Sequence, residues 1–157
     1  MPQDIKLVLV NPEIPANTGN IVRLCAVTGV ELHVIEPCGF SWDERSLKRA
    51  GLDYWSHCRL ERHLTFAQLE ERWPRANYYF LSAHARRSLF SASIQAGDVL
   101  VLGCESAGLS RRFLDKNDRG RHTWTLPMPG RGRSLNLASA AAVALYEALR
   151  QIGRLEG

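Results

Sequence analysis

A loop rich in proline and asparagine occupies residues 11–25, NPEIPANTGNIVRLC, directly after an apolar segment. Two prolines stiffen it, and the amides of Asn17 and Asn20 can form hydrogen bonds with their surroundings. Arg23 is placed on the first turns of a following helix, where it could face back to the loop. These residues could help to hold a ligand. They also suit a rigid turn with a helix cap, and this stretch taken alone slightly favours that simpler interpretation.

A second loop, residues 102–110 (LGCESAGLS), combines glycines with one acidic side chain. Gly103 would let the backbone approach a ligand closely, and Gly108 would permit a positive φ. Glu105 is then held at the mouth of the loop. Its carboxylate could accept a hydrogen bond from a ribose hydroxyl or an amine, or it could brace the neighbouring loop, and the sequence favours neither role.

The third loop, PGRGRS at residues 129–134, resembles a phosphate cradle. It has neither the Gly-Lys-Ser/Thr of a P-loop nor the Gly-x-Gly-x-x-Gly spacing of a dinucleotide site, which argues against both. What remains is a basic, glycine-containing loop that leads to Ser134 and Asn136 at the start of a helix. Either side chain could cap that helix or point into a pocket.

Short apolar segments alternate with helical patterns along the chain. Strands are predicted at residues 5–10, 31–36, 77–83, 98–103 and 122–128, and helices from Thr18 to Gly29, within 41–51, and at 65–73, 109–117 and the C-terminal end. Continuous apolar strands are typical of a mainly parallel sheet with helices on both faces, so the fold class is α/β. Ligands bind beyond the carboxyl ends of such strands, and the three loops are therefore predicted to form one site.

Length and composition favour one globular domain over residues 1–157, with 45% hydrophobic and 23% charged residues. The longest apolar run, residues 140–145, is too short to span a membrane, and no signal peptide is expected. The net charge of +4 is carried mostly by arginine, at Arg86, Arg87, Arg111, Arg112, Arg119, Arg121, Arg131 and Arg133. A polyanionic partner and a merely solvated surface explain this charge equally well.

The four cysteines are scattered, and none belongs to a Cys-x-x-Cys pair. This spacing predicts reduced thiols in the cytoplasm rather than disulfides or a zinc ribbon. His57, Cys58 and His63 lie close together in the sequence, but they supply few ligands and no second cluster accompanies them. No metal site is predicted.

The last helix is unusually poor in charge, since no charged residue occurs between Ser139 and Ala144. A surface helix normally shows one apolar stripe opposite a charged face. This segment is therefore expected to be buried all round, with one side on its own sheet and the other on a second copy of the chain. The alternative is an internal core helix in a monomer.

Three motifs carry a resemblance that covers essentially the whole chain. They are Asn17-x-Gly19-Asn20-Ile21 with Arg23, then Gly103-x-Glu105-x-x-Gly108-Leu109, and finally Leu126-Pro127-Met128 followed by Ser134-Leu135-Asn136-Leu137 and Tyr146-Glu147. In order and spacing they resemble the SPOUT superfamily of RNA methyltransferases, in its TrmH-like branch that methylates ribose 2′-hydroxyl groups. Ala138 departs from the serine that is frequent in close relatives, and the PGRGR segment is a variable part of the third motif.

The resemblance implies a fold that periodicity could not predict. Its members thread the C-terminal segment through a loop in a deep trefoil knot, although knots are otherwise nearly absent from proteins. The knot binds S-adenosylmethionine, and the resemblance implies a homodimer with Arg23 as the catalytic residue. The implied cofactor-binding residues are Leu81, Gly103, Glu105, Leu126, Met128, Ser134 and Asn136.

The small size and the stretches PEIPANTGNIVRLC, HVIEPCGF and RAGLDYW resemble the smallest members of that branch. These methylate the wobble nucleotide of tRNA, cytidine or uridine 34. The resemblance thus implies a cytoplasmic enzyme that binds the anticodon stem-loop of tRNA, with leucine tRNAs as substrates, and binds neither DNA nor membrane. Its alternatives are methylation at another tRNA or rRNA site, and an RNA-binding module without catalysis.

Overall fold

The computed structural model describes residues 4–49, 55–118 and 123–156, and within these ranges seven strands form a single sheet. The strands are β1 (Lys6–Val10), β2 (Glu31–Ile35), β3 (Leu60–His63), β4 (Tyr78–Leu81), β5 (Arg87–Ser88), β6 (Val99–Leu102) and β7 (Thr123–Thr125). The α-helices are α1 (Pro15–Thr28), α2 (Glu44–Arg49), α3 (Phe66–Arg72), α4 (Arg111–Asn117) and α5 (Leu137–Gln151).

The sheet has the strand order β3-β2-β1-β6-β4-β7-β5, and each pair of neighbouring strands is parallel. In the centre, Leu7 of β1 lies between Leu32 of β2 and Leu100 of β6. All three side chains are fully buried. The continuous apolar runs in the sequence therefore correspond to strands that are covered on both faces, as predicted.

Two apolar cores lie on opposite faces of the sheet. On one face, Leu7 and Leu100 share a core with Ile21 of α1 and Leu145 of α5. On the other face, Val8, Phe80 and Val101 pack with Phe66 and Leu69 of α3, and Phe113 of α4 joins them. The predicted α/β class, with a parallel sheet and helices on both faces, is confirmed.

Helix α1 begins earlier than the sequence predicted. Its N-cap is Ile14 and its first residue is Pro15, whereas the helix was predicted to begin at Thr18. Thr18 lies inside the helix, fully buried. Proline suits the first helical position because it lacks the N–H that would stay unpaired there. The predicted end is confirmed, since Gly29 closes the helix with a φ of 76°.

Two polar strands at the edges of the sheet, β3 and β5, were not predicted. Other boundaries shift: β7 ends at Thr125, so Leu126 and Met128 belong to the loop that follows the strand. Several predicted features lie outside the described residues: Arg119, Arg121, His122, Gly51, the side chain of Leu47 and residues 50–54 of RAGLDYW. No helix in the described ranges is long and apolar enough to cross a membrane.

Helix α5 is buried on one face. Ala141, Ala144, Leu145 and Ala148 have no exposed surface and pack towards α1 and β6. The opposite face is exposed in the single chain, including Val143 at 42%. Burial on all sides therefore requires a second chain, and that part of the expectation stays a prediction.

Candidate active site

A cavity of about 640 Å³ opens where β4, β6 and β7 end. Most of its lining comes from three segments: residues 81–84 at the end of β4, residues 102–108 at the end of β6, and residues 125, 126, 128 and 133–137 from the end of β7 onwards. Ile14, Asn17 and Ala140 complete it. All seven residues that the resemblance assigned to the cofactor lie in this lining: Leu81, Gly103, Glu105, Leu126, Met128, Ser134 and Asn136. The carboxyl ends of the strands thus bring together loops that are far apart in the sequence.

The base of the cavity is apolar, because it is formed by buried apolar residues at and just after the ends of the strands. Leu81, Leu102 and Leu126 are nearly buried, at 9%, 3% and 8% exposure. Leu137, the first residue of α5, closes the cavity with 9% exposure. The upper lining carries polar groups, such as Ser134 and Arg133, which are exposed. An apolar base with polar groups above it suits a ligand with one flat apolar part and one polar part.

The loop after β6 is closed by its own backbone. The N–H of Cys104 donates to the carbonyl of Gly108 at 3.2 Å, and the N–H of Gly108 donates back to the carbonyl of Cys104 at 2.8 Å. A Cβ atom at Gly103 would lie 2.0 Å from the carbonyl carbon of Gly108. Gly103 was expected to let the backbone approach a ligand. The structure shows that the loop folds back against Gly103 itself, so glycine is required there because no Cβ atom fits.

Glu105 binds the start of α1. Its Oε1 accepts from the N–H of Glu13 at 2.8 Å, and its Oε2 accepts from the N–H of Ile14 at 2.7 Å and from the Asn17 amide at 3.2 Å. A carboxylate at this position pairs N–H groups that a helix start leaves without acceptors. Of the two roles that the sequence left open for Glu105, the geometry shows the brace between loops.

A second carboxylate ties the same two loops in the opposite direction. Glu13 accepts from the N–H of Ser106 at 2.9 Å and from its hydroxyl at 2.6 Å. These donors hold the pKa of Glu13 below its usual range. Glu13 and Glu105 therefore fix the loop before α1 against the loop after β6 by reciprocal contacts.

Asn136 connects the third loop to this network. Its Oδ1 accepts from the N–H groups of Ala138 at 2.9 Å and Ser139 at 3.3 Å, which makes it the N-cap of α5. Its Nδ2 donates to Oδ1 of Asn17 at 3.1 Å. Asn17 thus joins Glu105 to Asn136, and the three segments around the cavity are held in one hydrogen-bonded chain.

Arg23 does not line the cavity of its own chain. It lies on the exposed face of α1, together with Asn20 and Val27. Helical spacing puts these positions on one side because they follow one another at three and four residues. That Arg23 faces back to the loop before α1 stays a prediction.

Several lining residues were missed by the sequence reasoning. Ser82, Ala83 and His84 follow β4 directly, and Arg133 precedes Ser134. The signal for residues 82–84 was the end of a buried strand, which is the rule that identified the other loops. Ile14 carried no such signal, since it reaches the cavity through the packing of α1 against the loop after β6.

The comparisons with known proteins place the chain in a family. The model of the SpoU rRNA Methylase family matches residues 4–146, and the chain belongs to this family of methyltransferases. A tRNA (cytidine(34)-2′-O)-methyltransferase of Escherichia coli K12 is 42% identical over 149 residues, which are 95% of this chain and 94% of that protein. The family resemblance read from the three motifs is confirmed.

Solved structures agree with this placement. One, from work on the 2-OH methylation of C/U34 on tRNA, is 47% identical, has a TM-score of 0.86 and covers 96% of this chain and 97% of its own. The SpoU methyltransferase AviRb of Streptomyces viridochromogenes, in complex with the cofactor AdoMet, is 24% identical with a TM-score of 0.80. It covers 96% of this chain and 61% of its own, and it shows the same fold.

Proposed function

We propose that the protein transfers a methyl group from S-adenosylmethionine to the ribose 2′-hydroxyl of nucleotide 34, cytidine or uridine, in tRNA. The observation that carries the proposal is the convergence of all seven implied cofactor-binding residues on one cavity, in a chain 42% identical to a tRNA (cytidine(34)-2′-O)-methyltransferase over 95% of its length. Leucine tRNAs, bound through the anticodon stem-loop, are the substrates, and the cytoplasm is the compartment.

The cavity suits S-adenosylmethionine in volume and in chemistry. Its volume of about 640 Å³ lies within the range of pockets that hold ligands of this size. The apolar ends of β4, β6 and β7 suit the face of an adenine ring, and the polar groups around Ser134 suit an amino acid moiety. The cofactor supplies an electrophilic methyl group on a sulfonium.

The segment after β7 is threaded as a deep trefoil knot. Two observations support this. Residues 125, 126, 128 and 133–137 line the cavity beside the loops after β4 and β6. Helix α5 then packs against α1 and β6, although β7 is separated from β6 by β4 in the sheet. This return from β7 towards β6 is the direction that threading past the loops of the cavity would take.

The active protein is a homodimer built on the exposed faces of α1 and α5. These helices pack on each other, so their outer faces are adjacent. Val27, Val143 and Tyr146 are exposed by 64%, 42% and 45% on this surface. A second copy would bury these apolar side chains, and burial of this kind is the main favourable term in association.

Arg23 acts across that interface. It lies on the exposed face of α1 and outside the cavity of its own chain, which supports action at the second cavity of the dimer. Arginine stays protonated in proteins, so Arg23 cannot be the general base. It anchors the phosphate next to nucleotide 34 or orients the 2′-hydroxyl group in line with the methyl group, which lowers the barrier through positioning.

Mass spectrometry of nucleosides tests the proposal. Leucine tRNA from a strain that lacks the gene should have no 2′-O-methyl group at nucleotide 34. The purified protein with S-adenosylmethionine should restore it. A matched control is the same tRNA carrying a 2′-deoxyribose at nucleotide 34, which should accept no methyl group.

Other outcomes would support the alternatives. Methylation of ribosomal RNA instead, which the family description suggests, or of another tRNA position would refute the nucleotide 34 assignment. Binding of tRNA without any methyl transfer would indicate an RNA-binding module. A saturable site for S-adenosylhomocysteine would then show whether the cofactor pocket is still functional.

A further inference from the structure

A group of potential metal ligands lies at the edge of the sheet. His33 of β2 and Glu61 of β3 are paired in register on neighbouring strands, and His63 is two residues beyond Glu61. Side chains two residues apart on a strand point to the same face. The three side chains therefore converge on one side of the sheet, and the strands fix their spacing.

The distances between the donor atoms suit a single metal ion. Nδ1 of His33 lies 2.9 Å from Nε2 of His63, and this nitrogen lies 3.8 Å from Oε2 of Glu61. All the donor atoms lie within 4.8 Å of one another. Donors bound to one tetrahedral Zn²⁺ stand roughly 3.3 Å apart, so no pair of donor atoms has to change its separation by more than about 1.5 Å.

The second nitrogen of His33 lies near a carboxylate. Its Nε2 faces Oε2 of Glu31 at 3.7 Å. With a proton on Nε2, Nδ1 presents a lone pair towards His63, whose Nε2–H then donates to it. Histidines that bind metals usually turn their other N–H to a carboxylate, which fixes the tautomer. At 3.7 Å Glu31 is too distant to accept a hydrogen bond, and Nε2 of His33 is buried without a hydrogen-bond partner in the described part of the chain, so Glu31 must move closer to take this role.

We propose that His33 Nδ1, His63 Nε2 and the carboxylate of Glu61 bind a divalent transition-metal ion of the Zn²⁺ type, which fastens the edge strand β3 to β2. Two imidazoles and one carboxylate suit zinc, cobalt or nickel better than calcium or magnesium, which prefer oxygen ligands throughout. The ion takes the place of the proton that the two imidazoles share. The proton of His63 moves from Nε2 to Nδ1, so its ring stays neutral when Nε2 binds the ion.

Burial prepares the imidazoles for this role and leaves an entry route. His33 has a side-chain exposure of 1%, and burial lowers the pKa of both histidines. The Glu61 side chain is 46% exposed, so the ion can enter from that side.

Two cations near the site oppose metal binding. Arg72 donates to Glu61 Oε2, and both Arg72 and Lys6 lie over the ring of Trp73, which packs edge-on against His33. Glu31 and Glu61 balance these two positive charges. Arg72 competes with the metal for the same carboxylate, so its removal should increase the metal affinity.

Titration of the purified, chelator-treated full chain with Co²⁺ in the presence of a phosphine reductant tests the proposal. Co²⁺ should give a saturable visible absorption without a thiolate charge-transfer band, and Zn²⁺ should remove it by competition. Zn²⁺ at 100 times its Kd should raise the Tm by roughly 5–10 °C. Arg72→Gln should strengthen binding.

Variants of two histidines separate this site from others. His63→Gln keeps an N–H that can donate to His33 but removes the metal ligand, so it should fold and lose both the Co²⁺ absorption and the Tm increase. His57→Gln, at an exposed histidine near β3, should behave as the unchanged protein. The proposal is overturned by no saturable absorption at millimolar Co²⁺, by absorption that persists in His63→Gln, or by a thiolate band. Unchanged affinity in Arg72→Gln would remove Glu61 from the ligands and overturn the three-ligand site.

Discussion

Replacement of Gly103 by alanine should disrupt the loop after β6. The added Cβ would lie 2.0 Å from the carbonyl carbon of Gly108, 2.2 Å from the nitrogen of Leu109 and 2.3 Å from the oxygen of Gly108. All three are backbone atoms, so no side-chain rotation can relieve the contacts. The loop must move by more than 1 Å to reach an ordinary contact distance of about 3.4 Å.

The expected cost follows from two contributions. Overpacking of this kind typically costs about 1–3 kcal/mol. The movement also breaks the two hydrogen bonds between Cys104 and Gly108, each worth roughly 0.5–1.5 kcal/mol. The free energy of unfolding should therefore fall by roughly 2–6 kcal/mol. The same loop lines the cavity, so part of this cost should also lower the affinity for S-adenosylhomocysteine. A share of about 1.4 kcal/mol lowers that affinity about tenfold, and a larger share lowers it further.

Urea unfolding and isothermal titration with S-adenosylhomocysteine measure the two effects. Gly130→Ala and Gly132→Ala are matched controls, because an added Cβ at either position meets no atom within 4 Å. Both should leave stability and affinity nearly unchanged. An unchanged urea midpoint and unchanged affinity in Gly103→Ala would refute the account of this loop.

The remaining predictions concern the contacts around the cavity and the proposed dimer. Glu105→Gln replaces one acceptor oxygen by an NH₂ group that faces the backbone N–H donors of Glu13 and Ile14. In urea titrations the free energy of unfolding should fall by about 1.5–3 kcal/mol. A smaller loss would show that this contact between the loops is weak. Asn136→Ala removes the cap of α5 and its bond to Asn17, and thermal unfolding should show a loss of about 0.5–2 kcal/mol. Arg23→Ala should reduce methylation roughly 10²-fold and leave the affinity for S-adenosylhomocysteine unchanged. Mixed with the Gly103→Ala protein, it should regain activity through hybrid dimers if Arg23 acts across the interface, whereas no recovery would indicate action within one chain. Val143→Glu should convert dimers to folded monomers in light scattering, and an unchanged dimer mass would place the interface elsewhere.

The sequence by itself determined the elements whose signals are local. The apolar runs of β1, β2, β4 and β6 became buried strands, because a strand covered on both faces needs apolar side chains at every position. Thr65 and Gly29 fixed a helix start and a helix end, since caps act through residues next to the helix. The three loops could be assigned to one site because parallel strands end on the same side of a sheet.

Only the tertiary structure decided the features that depend on distant residues. Helix α1 starts at Pro15 with the carboxylate of Glu105, about ninety positions away in the sequence, on the N–H groups before it. The polar strand β3 has no apolar run of its own, and pairing with β2 makes it a strand. That pairing also brings His33 beside His63, which the spacing of residues in the chain could not indicate. Local patterns specify which segments can be buried, whereas long-range contacts determine which segments pair with each other. Bringing distant residues together costs loop-closure entropy, and only the contacts of the complete fold offset that cost.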